Sequence, residues 1–375
     1  MNHSENTAVL TQNDLQVLEQ AGRFEESRAA ALEGLKSSKD SERIAGAIFL
    51  IANMKFDLMG EALAALKPLQ AQLEGDFNAC NVLAYAAWYR DDVELSRWAS
   101  HRCIGLAPAA SAGYLRLGLL ELMKQRYVEA YCAFSAGLLH CPKEIELFQA
   151  WYKLSKVLSQ GINNVEFVWD GIKFSFRLAT YNGHAMETAC QHVLGRFCEE
   201  EELRYVRQFV GRCDSIVEVG AAVGNHTIFF AKVLSPKSIH VFEAYCPAVE
   251  QIKDNTSLNC DVSGGQKITV HHAAVGAKPG RMRIFDQDVS VVRLDDEVKV
   301  HVDFIKIDVD GMEMEVLEGC RGLFARDRPK IMVEVQNELK ERFHAFIREY
   351  DYVIEREAFR ATDTNYYIRP KNLPA

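Results

Sequence analysis

The feature that most constrains this chain is a change of period near residue 160. Before it, apolar residues recur every three to four positions, Ala is abundant, and Gly and Pro are sparse, which predicts packed amphipathic helices. After it, short apolar runs alternate with helical stretches, which predicts a largely parallel sheet covered on both faces. The polar segment Ser159-Gln160-Gly161-Ile162-Asn163-Asn164 separates the two patterns, so two domains are expected, 1–160 and 161–375. A length of 375 residues accommodates them at about 150 residues per domain.

Charge narrows the partners. The chain carries 43 basic against 52 acidic residues, a net charge of −9, which argues against broad docking on nucleic acid or anionic lipid. No apolar run reaches the roughly 18 residues of a membrane span, and the first residues lack the basic and apolar regions of a signal peptide. The expectation is a soluble cytoplasmic protein. Its ten cysteines are scattered without a C-x-x-C pair, so they read as reduced thiols, with no structural metal or disulfide framework.

Within the helical half, Tyr114, Leu117, Gly118, Tyr127, Ala130, Phe134, Gly137 and Pro142 form a unit whose offsets resemble the tetratricopeptide repeat. Stepping back about 34 residues gives Cys80, Leu83, Ala84, Val93, Ser96, Ser100, Cys103 and Pro108, then Phe49, Leu50, Met59, Ala62 and Leu66. Gly22-Arg23-Phe24-Glu25-Glu26-Ser27 looks like the turn and second helix of a first unit, shifted by one residue. The resemblance implies stacked helix pairs with small residues at close crossings and a groove for a protein partner or for self-association. No acid–base constellation is seen there; His101 and His140 stand alone.

In the second half, 165–169 and 172–178 flank Asp170-Gly171, a pair that tolerates the positive φ of a type I′ hairpin turn. Helices are expected near 188–197 and 200–210. Strands are expected at 215–219, 238–243, 268–274, 304–309 and 330–335, with a closing antiparallel pair at 352–354 and 365–368.

The first of these strands runs into Gly220-Ala221-Ala222-Val223-Gly224-Asn225-His226-Thr227, and an amphipathic helix is expected to follow. A strand, a glycine turn and a helix start make a nucleotide-type site at the carboxyl end of a sheet. The two glycines are expected to let backbone approach a ligand that a Cβ would obstruct. The spacing is neither G-x-G-x-x-G nor a phosphate loop, which disfavours NAD and ATP, and with them a dinucleotide-dependent oxidoreductase. The next strand ends in Glu243, placed to accept hydrogen bonds from ribose hydroxyls. The strand at 304–309 ends in Asp308, Asp310 and Gly311, with Glu313 opening a helix.

Taken together, E-V-G-A-A-V-G, F-E-A-Y-C-P and K-I-D-V-D-G-M-E resemble the FkbM family of S-adenosylmethionine-dependent methyltransferases, over about 182–335. Leu294-Asp295-Asp296 and the segment from Pro329 to Glu334 look like the family too. Glu218 and Asp310 depart from its commoner Asp and Glu; each keeps a carboxylate but changes its reach by about one methylene. The fold implied is multidomain: all-α tetratricopeptide-like repeats followed by an α/β Rossmann-like class I methyltransferase domain.

The resemblance implies S-adenosyl-L-methionine as cofactor and a hydroxyl-bearing acceptor, with a sugar in a glycan as the first expectation. Gly220, Ala221, Gly224 and Asn225 would lie along the methionine part, Glu218 would meet its ammonium or anchor backbone, and Glu243 would hold the ribose. Asp308, beside the transferred methyl, is the first candidate for proton acceptor. His226 is the second, because an imidazole pKa near 6.5 suits proton removal at neutral pH. Asp310, Glu313, Glu334 and His184 would orient the substrate or satisfy backbone, and His184 with Glu187 could close over the site. The acids could gather a divalent ion, although the chemistry requires none. The alternative from another class is a non-catalytic adaptor whose repeats bind a partner and whose α/β domain keeps only its shape.

Overall fold

The computed structural model describes residues 10–53, 56–161, 163–179, 184–260, 265–359 and 363–371. The chain divides into two compact units, Met1–Tyr152 and Lys153–Ala375.

Ten helices run through 12–160 among the described residues: α1 (Gln12–Gln20), α2 (Phe24–Lys36), α3 (Asp40–Ala52), α4 (Phe56–Leu66), the short α5 (Gln70–Leu73), α6 (Phe77–Tyr89), α7 (Val93–Leu106), α8 (Ala112–Met123), α9 (Tyr127–His140) and α10 (Ile145–Gln160). Helices α7 and α9 start 34 residues apart (127 − 93). The step from α4 to α7 is longer, 37 residues (93 − 56), because the chain inserts a 3₁₀ turn at Lys67–Leu69 and then α5. The period read from sequence is therefore regular across 77–140 and slips by three residues before it. Side-chain size explains the close crossings. A Cβ on Gly118 would lie 2.3 Å from the Phe134 ring, and one on Gly137 would lie 2.8 Å from the Tyr114 Cβ.

The second unit opens with the expected hairpin, β1 (Asn164–Trp169) and β2 (Ile172–Arg177), turning at Asp170 and Gly171 with φ of +51° and +78°. Helices α11 (His184–Leu194) and α12 (Glu200–Val210) precede β3 (Ser215–Val219), α13 (Asn225–Phe229), β4 (Ser238–Glu243), α14 (Cys246–Asn259) and β5 (Lys267–His272). Then come β6 (Ala274–Val275), β7 (Gly280–Ile284), β8 (Gln287–Val292), α15 (Leu294–Glu297), β9 (Phe304–Ile307), α16 (Glu313–Glu318), α17 (Arg321–Arg326), β10 (Lys330–Gln336), α18 (Lys340–Glu349), β11 (Tyr352–Phe359) and β12 (Asp363–Pro370). The hairpin of β7 and β8 is not anticipated by the sequence reading; with β6 it forms a separate three-stranded sheet.

Seven strands make the central sheet in the order β11-β12-β10-β9-β3-β4-β5. The run from β10 to β5 is parallel and β12 is antiparallel. Alternation along each strand divides the core between two faces. Val217, Val219, Ile305, Ile307, Ile331 and Val333 pack on one face, whereas Ile216, Phe304 and Met332 pack on the other with the β1–β2 hairpin, α12 and α13. Helix α13 is buried along its whole length instead of amphipathic, so its sequence shows no solvent-facing stripe. A π turn at Phe230–Leu234 extends it.

Candidate functional site

Because β3, β4, β9 and β10 are parallel, their carboxyl ends share one edge. The glycine turn after β3, Glu243 at the end of β4, and Asp308 just past β9 meet there.

Backbone bonds knit the edge. Gly220 N–H donates to the Phe242 carbonyl (2.9 Å), Asp308 N–H to the Val219 carbonyl (3.0 Å) and Gly224 N–H to the Ala221 carbonyl (2.7 Å). Gly220 has φ +76°, and a Cβ there would sit 1.7 Å from the Asp308 carbonyl oxygen. A Cβ on Gly224, at φ +79°, would make an ordinary 3.4 Å contact with Ile252. Both positions thus have a reason to be glycine within the fold itself. Gly220 is required by the close approach of two strand ends, and both glycines by a positive φ that side chains disfavour.

Glu243 braces the turn. One of its oxygens accepts from the Ala221 and Ala222 amides (3.1 and 3.0 Å), and the other accepts from the Tyr245 amide (2.8 Å). A carboxylate has about four acceptor positions, so capacity remains for a hydroxyl donor.

Beneath the turn lies Glu218, 0% exposed. Its Oε2 accepts from the Thr227 hydroxyl (2.5 Å), while its Oε1 is buried without a hydrogen-bond partner among the described residues. Burial pushes its carboxyl up to about 7 against the opposing pull of Lys306. On the neighbouring strand Lys306, 2% exposed, is in register with Glu218. Its ammonium donates to the Gly220 carbonyl (2.6 Å) and to Asp308 Oδ2 (2.9 Å). Burial alone would lower the Lys306 pKa, but Asp308 and Glu218 outweigh it and raise it.

The remaining candidates divide. Oxygen atoms of Asp308, Asp310 and Glu334 lie within 4.8 Å of one another, the geometry of a possible oxygen-ligand set for a cation. Glu313 is buried; its Oε1 accepts from the Gly311 amide (2.7 Å), and burial raises its carboxyl pKa. The Asn225 side chain is engaged by Cys198, through both its backbone amide and its carbonyl, and by His192 Nε2 at 2.9 Å. His226 is buried, with Nε2 3.4 Å from Glu199 Oε2. His184 and Glu187 fall in the first turn of α11 and not before it; 181–183 and the His184 side chain lie outside the described residues.

Three partners were missed by the sequence reading: Lys306, Thr227 and His192. A charged residue inside the apolar run Phe304-Ile305-Lys306-Ile307 was the available signal for the first. Thr227 and His192 gave none: Thr227 reaches back nine residues from α13 to Glu218 on β3, and His192 crosses 33 residues to Asn225, pairings that residue type alone does not mark. Chemically, the edge combines several carboxylates with one buried ammonium, which suits a cationic ligand that also bears hydroxyls.

Residues 218–354 match the family model described as the methyltransferase FkbM domain. Among solved structures, the chain is similar to a methyltransferase FkbM from Methylobacillus flagellatus KT at 20% identity, covering 49% of this chain and 53% of that one, with a TM-score of 0.37. It thus spans about half the length of that structure. It is also similar to a ribosomal protein L11 methylase from Lactobacillus delbrueckii subsp. bulgaricus (13% identity, 47% and 81% covered, TM-score 0.33). A third likeness is to M. jannaschii TYW2 in complex with AdoMet (13% identity, 56% and 87% covered, TM-score 0.33). No curated protein matches the chain.

Proposed function

We propose that this chain, in which 218–354 form a methyltransferase domain with S-adenosylmethionine as methyl donor, moves the methyl group to a hydroxyl oxygen, with a sugar hydroxyl in a glycan as the first acceptor class. The observation that carries the reading is the meeting of the Gly220 turn, Glu243 and Asp308 at one sheet edge. The donor supplies an electrophilic methyl on a sulfonium; the carbon–sulfur bond breaks as the carbon–oxygen bond forms, leaving a neutral thioether.

The chain's part is to hold and orient. Spare acceptor capacity on Glu243 would take ribose hydroxyls, and the unpartnered Glu218 Oε1 fits an ammonium reaching beneath the turn. Asp308 would take the acceptor's proton and His226 is the second candidate, both near the carboxyl edge. The helical unit would act as a tetratricopeptide-like array that binds the acceptor's carrier or a partner protein. The 34-residue step from α7 to α9 and the fit of Gly118 against Phe134 support that assignment.

Calorimetric titration with S-adenosylmethionine and S-adenosylhomocysteine, with NAD as control and Glu243→Ala alongside, tests the donor site. Binding of both sulfur ligands that weakens strongly in the variant is expected. No binding by the folded protein would overturn the reading and bring the adaptor alternative forward.

A further inference from the structure

Lys306 occupies a position that packing alone would give to an apolar side chain. It sits inside β9 between Ile305 and Ile307, is 2% exposed, and lies in register with Glu218 of β3 and Met332 of β10. A buried ammonium is costly unless its protons are bonded and its charge is met. Both conditions hold here, and the bonds formed are informative. One goes to the carbonyl of Gly220, just after β3, and one to the carboxylate of Asp308, two residues on and just past the end of β9. Gly220 is the residue whose missing Cβ lets these strand ends meet.

We infer that Lys306 is a positioning residue of the donor site: its ammonium fastens the glycine turn after β3 to the carboxylate end of β9 and so sets where Asp308 points. The inference rests on the methyltransferase reading for its purpose, but not for its geometry. The charged groups facing Lys306 are Asp308 beyond its own strand, Glu218 across the sheet and Glu199 before α12; Glu243 of β4 in turn faces Glu218. Every one is a carboxylate, so Lys306 is the counter-charge they share. Without it, Asp308, whose side chain is 36% exposed, would lose the charge-assisted bond that holds its Oδ2 against the glycine turn. The Gly220 carbonyl would lose the ammonium, leaving the turn to its backbone bonds and to the brace that Glu243 gives the Ala221 and Ala222 amides.

Two variants test this in the full-length chain. Lys306→Met removes the ammonium and keeps much of the side-chain volume. The double variant Lys306→Met with Glu218→Gln also removes the carboxylate left facing it, which protects folding, since replacing both partners costs less than orphaning one.

In both variants, with the melting transition of the second unit retained, amide exchange at Ala221 and Ala222 in the ligand-free protein is expected to speed up at least about tenfold. Affinity for S-adenosylhomocysteine is expected to fall by a similar factor, the loss of one hydrogen bond to a charged group. A pH profile separates positioning from bulk packing. In Lys306→Met, affinity for S-adenosylmethionine should rise as Glu218 ionises, with a midpoint above the wild-type value, until the ligand's own α-ammonium loses its proton at about pH 8, and the double variant should lose that rise.

Wild-type exchange at the turn together with wild-type affinity, in either folded variant, would overturn the inference. If the wild-type chain binds neither sulfur ligand, the methyltransferase reading fails, while the exchange comparison still decides whether Lys306 holds the turn.

Discussion

Glu218→Gln should make the second unit more stable at alkaline pH while leaving it nearly unchanged in acid. The carboxyl is fully buried, and burial lifts its pKa from 4.5 to about 7. The sign follows from proton counting: between those values the folded state keeps a proton that the unfolded chain has lost, so stability falls as pH rises. At about 1.4 kcal/mol per pKa unit, the interval amounts to at most about 3 kcal/mol. Below pH 4.5 both states are protonated, and Gln, which can also accept from Thr227, is a near-isostere of the neutral acid. Above about 7 the wild type carries the cost of a buried anion and the variant does not. Scanning calorimetry of both proteins at about pH 5 and pH 8 reads the difference of differences, in which all other titrating groups cancel. For a unit of this size, about 3 kcal/mol corresponds to a shift of roughly 6–12 °C in the transition. A Glu218→Gln effect that is the same at both pH values would show that the carboxyl ionises normally, and would refute the claim that burial dominates Lys306 at this position.

Gly220→Ala should abolish donor binding and strongly lower the second unit's transition, because its Cβ would overlap the Asp308 carbonyl; Gly224→Ala should cost only about 1–2 kcal/mol, the penalty of a left-handed residue. Calorimetric melting of the pair checks this, and equal effects would contradict the geometry. His192 is buried against Phe176 and Asn225, and burial lowers its pKa to about 4. Its folded pKa is depressed, so its contribution is full above about 6.5 and lost as pH falls towards 4. His192→Gln should therefore flatten the acid limb of the stability–pH curve measured by urea titration, and an unchanged limb would count against it. In the helical unit, Gly118→Ala drives a Cβ into the Phe134 ring and should cost about 1–3 kcal/mol. The loss should fall on the first unit's transition alone, and a matching shift in the second would show that the units melt together.

Local chemistry made much of this protein legible. The change of period near residue 160, the Asp170-Gly171 turn, α12 at Glu200–Val210 and the strands Ser215–Val219 and Ser238–Glu243 all follow from short-range pattern, because periodicity and turn propensity are properties of neighbouring residues. So does the line of acids after the strands, since parallel strands bring their carboxyl ends together. What the sequence concealed depends on contacts across the chain. The β7–β8 hairpin is hidden in the sequence because its strands are short and only one of their residues, Val289, is fully buried, so the alternation marks no strong core face. The helical period slips at Lys67–Leu73, where local pattern does not say how an insertion is absorbed.

The site shows the same division most clearly. Sequence supplied Gly220, Glu243 and Asp308 as chemical types in an order. Only the tertiary structure decided that Gly220 faces a neighbouring carbonyl instead of open space, that Glu243 already braces the turn, and that Lys306 lies opposite Glu218 with its ammonium on Asp308. Residue type and spacing fix what a strand end can offer. Its hydrogen-bond partners, its burial and the resulting charge balance are set by which other strands are laid beside it, and that is a property of the sheet as a whole.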